Sequence, residues 1–298
     1  MYIRRVSAAL TAAFAALIGA SWAAASDSIQ APSALSLTPS IYADDATPPP
    51  KPLMALLDKA GIGKALGDWN ITIGGFIEGG WTYNFSQPGD QTNVGRVFDF
   101  EDQDPTLDQV DLFIDRSVDA SKGKFDVGFH IEWIYGGDAR LIHSNGMMDN
   151  VGVGNGPDEQ FDPVQAYATF AIPVGSGLTV TAGKFVTLLG YEYINPTQNP
   201  LYSHSYLFGF AIPFTNTGVI AKYNITDKIS VTAGFTRGWE QSLKDNNGSI
   251  DGIGEVTWQA TDKLGLILNV ISGPEEPNDS SHYRTVVDGT ATYKIGDN

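Results

Sequence analysis

Residues 69–85 alternate between apolar and polar side chains, and this pattern restricts the fold more than any other feature of the chain. The apolar set is Trp69, Ile71, Ile73, Gly75, Ile77, Gly79, Trp81, Tyr83 and Phe85. Because successive side chains of a strand point to opposite faces, the pattern predicts one long strand with one apolar face. From Trp69 to Trp81 such a strand, tilted by about 45°, projects to roughly 30 Å, close to the apolar band and aromatic girdles of a bilayer-spanning barrel. A soluble strand has no reason to reach that length.

Nine further stretches with period-two patterning follow the first one. They are 107–117, 124–135, 163–172, 177–187, 216–225, 228–240, 250–260, 263–272 and 283–295. The connections alternate between long ones (86–106, 136–162, 188–215, 241–249, 273–282) and short ones (118–123, 173–176, 226–227, 261–262). Short turns at one end and long loops at the other are typical of outer-membrane barrels. The sequence therefore predicts an all-β, antiparallel up-and-down transmembrane β-barrel, with about ten strands visible and a short N-terminal helix.

Three similar turns indicate that one hairpin is the repeating unit. Tyr223, Trp258 and Tyr293 are 35 residues apart, and each precedes a Thr-Asp-Lys or Gly-Asp-Asn turn. The third copy stops in its turn at Asn298. An open sheet edge in lipid would leave unpaired N–H and C=O groups that cost several kcal/mol each. We therefore expect the barrel to be incomplete in this chain, with at least one more hairpin in the native protein.

The chain divides into four predicted segments. Residues 1–25 have two arginines, an apolar run and an Ala-rich end, which predicts a cleavable signal peptide. Residues 26–52 are rich in Ser, Ala and Pro and predict a linker. Residues 53–68 have rough helical spacing and predict a short helix that packs at the periplasmic mouth, plugs the lumen or mediates oligomerisation. Residues 69–298 form the predicted barrel domain.

Composition excludes several classes of function. The net charge of −16 argues against nucleic-acid binding and against adhesion to anionic lipid headgroups. The chain has no cysteine, so disulfides, thiolate metal sites and a cysteine nucleophile are impossible. No run of 18 apolar residues follows residue 25, which excludes a helical membrane protein. Neither a nucleophile elbow nor a nucleotide-binding loop occurs, and the acidic segment 99–104 lacks the glycine and the terminal glutamate of a calcium loop. We expect no enzyme activity, no cofactor and no bound metal.

Several segments carry a family resemblance. The first runs from Gly183-Lys-Phe-Val-Thr-Leu-Leu-Gly190 to Tyr-Glu-Tyr-Ile-Asn195-Pro, and it is followed by Ser203-His-Ser-Tyr-Leu-Phe208 and Ile212-Pro-Phe-Thr-Asn-Thr-Gly218. These segments, with the strand at 74–84 and Leu-Asp-Gln-Val-Asp-Leu at 107–112, resemble the OmpL-like, or porin-2, outer-membrane porins. The resemblance covers about residues 53–298. It implies a single-chain barrel with more strands than the ten visible here and a diffusion function, and it supplies no catalytic residues.

Placing the apolar set outward leaves charged residues that face the lumen. These candidates are Glu78, Asp111, Asp115, Asp126, His130, Glu132, Lys222, Glu255, Asp288 and Lys294. Rings of carboxylates lower the energy of cations in a narrow pore, so the lumen is expected to favour cations mildly. Alternatively, each acid pairs with a nearby base or solvates the wall. Lys184 breaks the pattern, because it either points outward and snorkels at the rim or is turned by a bulge.

Two further groups of residues have predicted roles. Segment 188–215 is the loop expected to fold inward as a constriction, where Tyr191, Glu192, Tyr193, Asn195 and His204 either contact a sugar-like solute or pack the loop on itself. Aromatic residues near the strand ends are expected to form the membrane girdles. The girdle candidates are Trp69, Trp81, Tyr83, Phe125, Trp133, Tyr135, Tyr223, Trp239, Trp258 and Tyr293.

These observations together predict a Gram-negative outer-membrane porin that lets small hydrophilic solutes or ions diffuse passively. Its expected partners are outer-membrane lipid and those solutes, with a homotrimer possible and no nucleic acid. One alternative is a structural or ligand-binding barrel with a plugged lumen. Another is a secreted soluble β protein that binds glycans, which the exposed apolar face of residues 69–85 disfavours.

Overall fold

The computed structural model describes residues 52–149 and 158–295. The predicted signal peptide, and the predicted linker except for Pro52, lie outside the described residues. Helices α1 (Pro52–Lys59) and α2 (Gly63–Asp68) replace the single predicted helix, and Gly61 between them has a φ of +85° that favours glycine. Helix α1 contacts the first strand, where Ile73 N–H donates to Met54 Sδ at 3.3 Å. Whether the helices plug the lumen or mediate assembly stays a prediction.

Within the described residues, eleven strands form one antiparallel sheet. They are β1 (Ile71–Gly74), β2 (Ile77–Trp81), β3 (Pro105–Arg116), β4 (Asp126–Gly136), β5 (Gln160–Ile172), β6 (Leu178–Val186), β7 (Thr215–Asn224), β8 (Ile229–Thr236), β9 (Asp251–Gln259), β10 (Leu264–Pro274) and β11 (Tyr283–Tyr293). From β3 onward each strand pairs with the next one along the chain. The predicted all-β, up-and-down fold class is confirmed.

The first predicted strand is wrong in its length. It divides into β1 and β2, which pair with the two halves of β3, and residues 82–85 lie beyond β2. The break falls at Gly75 and Phe76, where a Cβ on Gly75 would lie 2.1 Å from the carbonyl oxygen of Asp111. Phe76 O still accepts a hydrogen bond from Asp111 N–H at 2.9 Å, so β3 bridges the break. The apolar alternation continues through this break, which is why the sequence alone did not show it.

Apolar side chains on the outward face of the sheet are exposed at alternate positions. Examples are Ile77, Trp81, Val127, Ile131, Tyr135, Val219, Phe235, Trp258, Leu268 and Val287. Exposed apolar side chains that recur on one face of neighbouring strands differ from the single scattered ones that are normal on a soluble protein. This face is the surface that a lipid bilayer would cover.

The sheet is open but strongly curled. In the described part of the chain β1 and β2 pair with β3, β11 pairs with β10, and β1 does not pair with β11. Nevertheless, Gly190 N–H donates to Asp288 on β11, and the carbonyl oxygen of Ile194 accepts from Gln109 on β3. Four residues span at most about 14 Å, whereas eight strand spacings of about 4.8 Å would separate β3 from β11 by roughly 38 Å in a flat sheet. The two ends of the sheet therefore curve toward each other around one loop.

Candidate functional site

A row of polar side chains crosses the inward face of five neighbouring strands. The strand register places Lys222, Thr232, Glu255, Asn269 and Asp288 opposite one another from β7 to β11. Glu255 is held by hydroxyl groups, including that of Thr232 at 3.5 Å, and Asn269 Nδ2 donates to Asp288 Oδ2 at 3.4 Å. The predicted residues Lys222, Glu255 and Asp288 thus share one level of the inward face. Their role in solute passage stays a prediction.

A second group of charged residues, the acidic face, lies on β3, β4 and β5 and comprises Asp111, Asp115, His130, Glu132 and Gln165. His130 Nδ1 lies 3.1 Å from Asp115 Oδ1, and its Nε2 lies 3.5 Å from Glu132 Oε2. Gln165 Nε2 donates to Glu132 Oε2 at 2.5 Å. The His130 imidazole is thereby fixed between two carboxylates. Of these five residues, only Gln165 was not predicted from the sequence as a lumen residue.

Strand β3 connects the acidic face to the loops at the long-loop end. Gln109 Nε2 donates both to Asp138 Oδ2 at 2.8 Å and to the carbonyl oxygen of Ile194 at 2.9 Å. Asp138 lies just beyond β4, and burial raises its pKa well above the ordinary value for an aspartate. On the same strand, Tyr202 Oη donates to Asp108 Oδ2 at 3.2 Å. Gln109 and Asp108 were missed because their anchoring role depends on loops that are remote in sequence.

The remaining lumen candidates lie near the ends of strands. Glu78 is half-buried on β2, opposite Gln109. Asp126 begins β4 at the short-turn end, where its Oδ1 accepts from Arg116 Nη1 at 2.9 Å. Lys294 follows the last residue of β11 and is exposed at the same end. Arg116 and Asp126 thus pair locally, as the alternative interpretation of the lumen charges described.

The longest connection between strands, residues 187–214, folds over the inward face; we call it the inner loop. It includes the short helix α3 (Tyr206–Phe210). Its buried apolar residues are Leu188, Leu189, Ile194, Phe208, Ile212 and Phe214, which cluster with the strand residues Ile134, Val164, Phe185, Ile220, Ile253 and Ile271. Ile220, Ile253 and Ile271 form one inward-facing row. The inward face is therefore not uniformly polar, because this row receives the loop.

The predicted constriction residues bond mainly within the inner loop. Glu192 accepts from the backbone N–H of Ser205 at 3.0 Å, and Asn195 Oδ1 accepts from Thr197 N–H at the same distance. His204 stacks on Phe208, with ring centroids 4.2 Å apart. Burial lowers the pKa of His204, which favours its neutral form. The other two candidates are Tyr191 and Tyr193, both half-buried, and Tyr193 N–H donates to Asn199 Oδ1 at 2.9 Å.

Lys184 is turned inward and buried. Gly183 has a φ of +139°, and after it both Lys184 and Phe185 are buried on β6, at 1% and 0% exposure. Lys184 Nζ lies 3.1 Å from Asp162 Oδ1 and donates to the carbonyl oxygen of Pro163 at 2.7 Å. A local break in alternation, rather than snorkelling at the rim, therefore accounts for the irregular pattern. Asp162 was not predicted as a site residue.

Most girdle candidates are exposed, with three exceptions. Trp69, Trp81, Tyr83, Phe125, Tyr135, Trp258 and Tyr293 are exposed. Trp133 and Tyr223 are half-buried. Trp239 lies three residues beyond the end of β8, which corrects the predicted strand 228–240, and its ring lies 4.7 Å from the guanidinium of Arg284. Gly238, with a φ of +113°, turns the chain away from the strand direction before Trp239.

A small cavity of about 20 Å³ lies between the inner loop and the strands and has space for roughly one water molecule. Its lining includes Val186, Leu189, Tyr193, Phe208 and Phe214. Among residues 52–149 and 158–295 no group of three His, Cys, Asp or Glu side chains is arranged to hold a metal ion. Within the same ranges no helix has the length and apolar character needed to cross a membrane.

Comparison with known proteins identifies the family of the chain. Neither a curated protein nor a solved structure matches the chain. The sequence profile of one family matches residues 70–298. This range includes every strand of the sheet and neither of the two N-terminal helices. The resemblance seen in the sequence is thereby confirmed, and the family implies a location in the outer membrane. The chain belongs to the family described as "Putative beta-barrel porin-2, OmpL-like".

Proposed function

We propose that the protein is a porin through which small hydrophilic solutes diffuse passively and which favours cations mildly. Charge on the strands supports this proposal most directly. The described strands carry ten carboxylates, Glu78, Asp108, Asp111, Asp115, Asp126, Glu132, Asp162, Asp251, Glu255 and Asp288. They carry four lysines and arginines, namely Arg116, Lys184, Lys222 and Arg284. Excess negative charge in a confined, weakly screened passage raises the local concentration of cations.

The distribution of this charge along the strands further supports the proposed preference for cations. Two of the four basic residues, Arg116 and Lys184, pair with Asp126 and Asp162 at 2.9 and 3.1 Å. Asp111, Asp115 and Glu132 remain concentrated on the acidic face, with His130 between two of them. A permeating cation would meet several carboxylates on one wall, whereas an anion would be repelled there.

The inner loop would set the width of this passage. It crosses the inward face from Asp288 to Gln109 and is held by apolar packing in between. A loop fixed at both ends of the sheet narrows the interior without needing a helix or a separate domain. Solutes would therefore pass between the inner loop and the acidic face.

Single-channel recording in planar lipid bilayers tests the pore itself. We expect discrete conductance steps from the refolded full-length native protein, and their absence at high protein concentration would contradict the proposal. The double variant Asp115→Asn, Glu132→Gln should conduct with a weaker cation preference. Thr290→Ala, which changes an uncharged residue on β11, is the control and should leave the preference unchanged.

A barrel with a plugged lumen is a second candidate, and the close packing of the inner loop favours it. Phe208, Phe214 and Leu189 are buried against the wall, and the cavity beside them is only about 20 Å³. Replacing residues 191–211 with a short Gly-Ser linker distinguishes the two functions. A constriction predicts that the wild type already conducts and the variant conducts more. A plug predicts that only the variant conducts.

A further inference from the structure

The connection between β2 and β3, residues 82–104, packs against the inner loop; we call it the first loop. Phe98 makes the central contact. Its ring centroid lies 5.4 Å from that of Phe208 and 5.8 Å from that of Phe214, both in the inner loop. It also lies 4.8 Å from the ring centroid of His204. The inner loop is therefore held between the first loop and the strands.

His204 is the polar side chain at this apolar contact. Its side chain is 5% exposed, and its ring stacks on Phe208 at 4.2 Å and meets Phe98 edge to face. Within the described part of the chain, its Nδ1 is buried without a hydrogen-bond partner. Burial lowers the pKa of His204 below the ordinary value of 6.5, so the packed ring is preferentially neutral.

The charged groups that face His204 are engaged with other partners. Glu192 of the inner loop approaches Nδ1 only to 3.9 Å, and it accepts from the backbone N–H of Ser205 at 3.0 Å and from its hydroxyl. Asp99 of the first loop is bound by two nitrogen atoms of Arg96, the closer one at 2.6 Å. Arg96 also disfavours a second positive charge nearby. An imidazolium at this position would therefore lose its hydration without gaining a close partner.

We propose that the first loop and the inner loop form an acid-sensitive latch over the passage, which His204 releases when it takes up a proton. At higher pH the neutral ring packs between Phe98 and Phe208. As the pH falls below 6.5, the separated loops bind the proton more tightly than the packed ones, so the contact weakens. Release would let the inner loop move and widen the passage. The latch thus regulates the proposed porin and rests on that function, but its opening can be measured without transport.

Limited proteolysis of the full-length native protein, refolded in detergent, tests the latch. Cleavage rates of the inner loop are compared between the wild type and His204→Phe at each pH from about 8 to about 5, so that the pH dependence of the protease cancels. Phenylalanine keeps an aromatic ring for packing but takes up no proton. We expect the ratio of wild-type to variant rates to rise several-fold as the pH falls. A constant ratio would overturn the latch. A falling ratio would overturn it too, because it would show that Glu192 holds the imidazolium in place.

His282→Phe is the matched control. His282 lies on another loop, and its side chain is 75% exposed. This variant should follow the wild type at every pH, and a loss of the acid response equal to that of His204→Phe would overturn the role of His204. Glu240 titrates in the same range, but it is present in all three proteins and its effect cancels.

A disulfide between the two loops gives a second test. A Cβ on Gly209 would lie 3.2 Å from Cβ of Val97, near the separation found in disulfides, and residues 1–298 include no cysteine. Val97→Cys, Gly209→Cys should cross-link on oxidation and then lose the acid response, which a reductant should restore. An acid response unchanged by oxidation, or failure to cross-link, would overturn the latch. Neither measurement depends on conductance, so failure of the latch and failure of the porin function are distinguishable.

Discussion

The backbone N–H of Gly190 donates to Oδ2 of Asp288 at 2.9 Å, and this bond joins the inner loop to the last strand. Asp288→Ala removes a hydrogen bond to a charged group, which contributes about 1.5–3 kcal/mol. We expect the loop to detach from β11 more often, giving larger and noisier single-channel currents. Thr290→Ala, on the same strand, should leave the currents unchanged. Wild-type currents from Asp288→Ala would show that the bond does not hold the loop.

Phe208 and Phe210 lie on the same short helix but differ in burial, at 3% and 60% exposure. Phe208 packs against Phe98 and Phe214 with ring centroids 5.4 and 5.2 Å apart. Phe208→Ala should destabilise the inner loop by about 3–5 kcal/mol, because it leaves a cavity. Limited proteolysis should then cut the loop faster, while Phe210→Ala stays close to the wild type. Equal rates in the two variants would contradict the packing described here.

Glu240 makes loop stability depend on pH. Burial raises its pKa from the ordinary 4.5 to about 7, although its carboxylate accepts from Phe214 N–H at 3.2 Å. The folded state therefore binds this proton more tightly than the unfolded state. Its contribution to stability is present below about pH 4.5 and is lost as the pH rises toward 7.

Urea titrations of the wild type and Glu240→Gln across this range measure the effect. The glutamine variant mimics the protonated form, so its stability relative to the wild type should increase from pH 4.5 to 7 and then level off. A stability difference that is constant across the range would show that Glu240 titrates normally.

The buried pair of Lys184 and Asp162 should be costly to break on one side only. Lys184→Met leaves Asp162 charged without its lysine partner, and we expect a loss of about 3–5 kcal/mol in the free energy of unfolding. Adding Asp162→Leu should recover much of that loss. Lys64→Met breaks an exposed pair in which Lys64 Nζ lies 2.7 Å from Asp68 Oδ2. This variant should lower the free energy of unfolding by less than about 1 kcal/mol. Equal costs for the two lysine variants would contradict the burial of Lys184.

Local periodicity was sufficient to predict where most strands lie. The alternation at 124–135 and 216–225 corresponds within two residues to β4 and β7, because side-chain direction along a strand depends only on neighbouring residues. Long and short connections likewise indicated the up-and-down order. The break at Gly75 was not visible, because it depends on the close approach of β3 and leaves the alternation intact.

The interior was harder to predict for a different physical reason. Ile253 and Ile271 lie on the inward face, where polar side chains were expected. They contact apolar residues of the inner loop, which is far away in the sequence. Asp162 was also missed, because its partner Lys184 turns inward only after the break in alternation at Gly183. Of these residues only Lys184 was predicted from the sequence to break the alternation, and its contact with Asp162 depends on the folded structure.

The ion preference of the open channel tests the central proposal most directly. With the full-length native protein in a planar bilayer between unequal KCl concentrations, the reversal potential reports whether K⁺ or Cl⁻ carries more of the current. The excess of carboxylates on the strands predicts a reversal potential with the sign expected when K⁺ carries more of the current than Cl⁻. A reversal potential of zero, or one of the sign set by Cl⁻, would contradict the proposal.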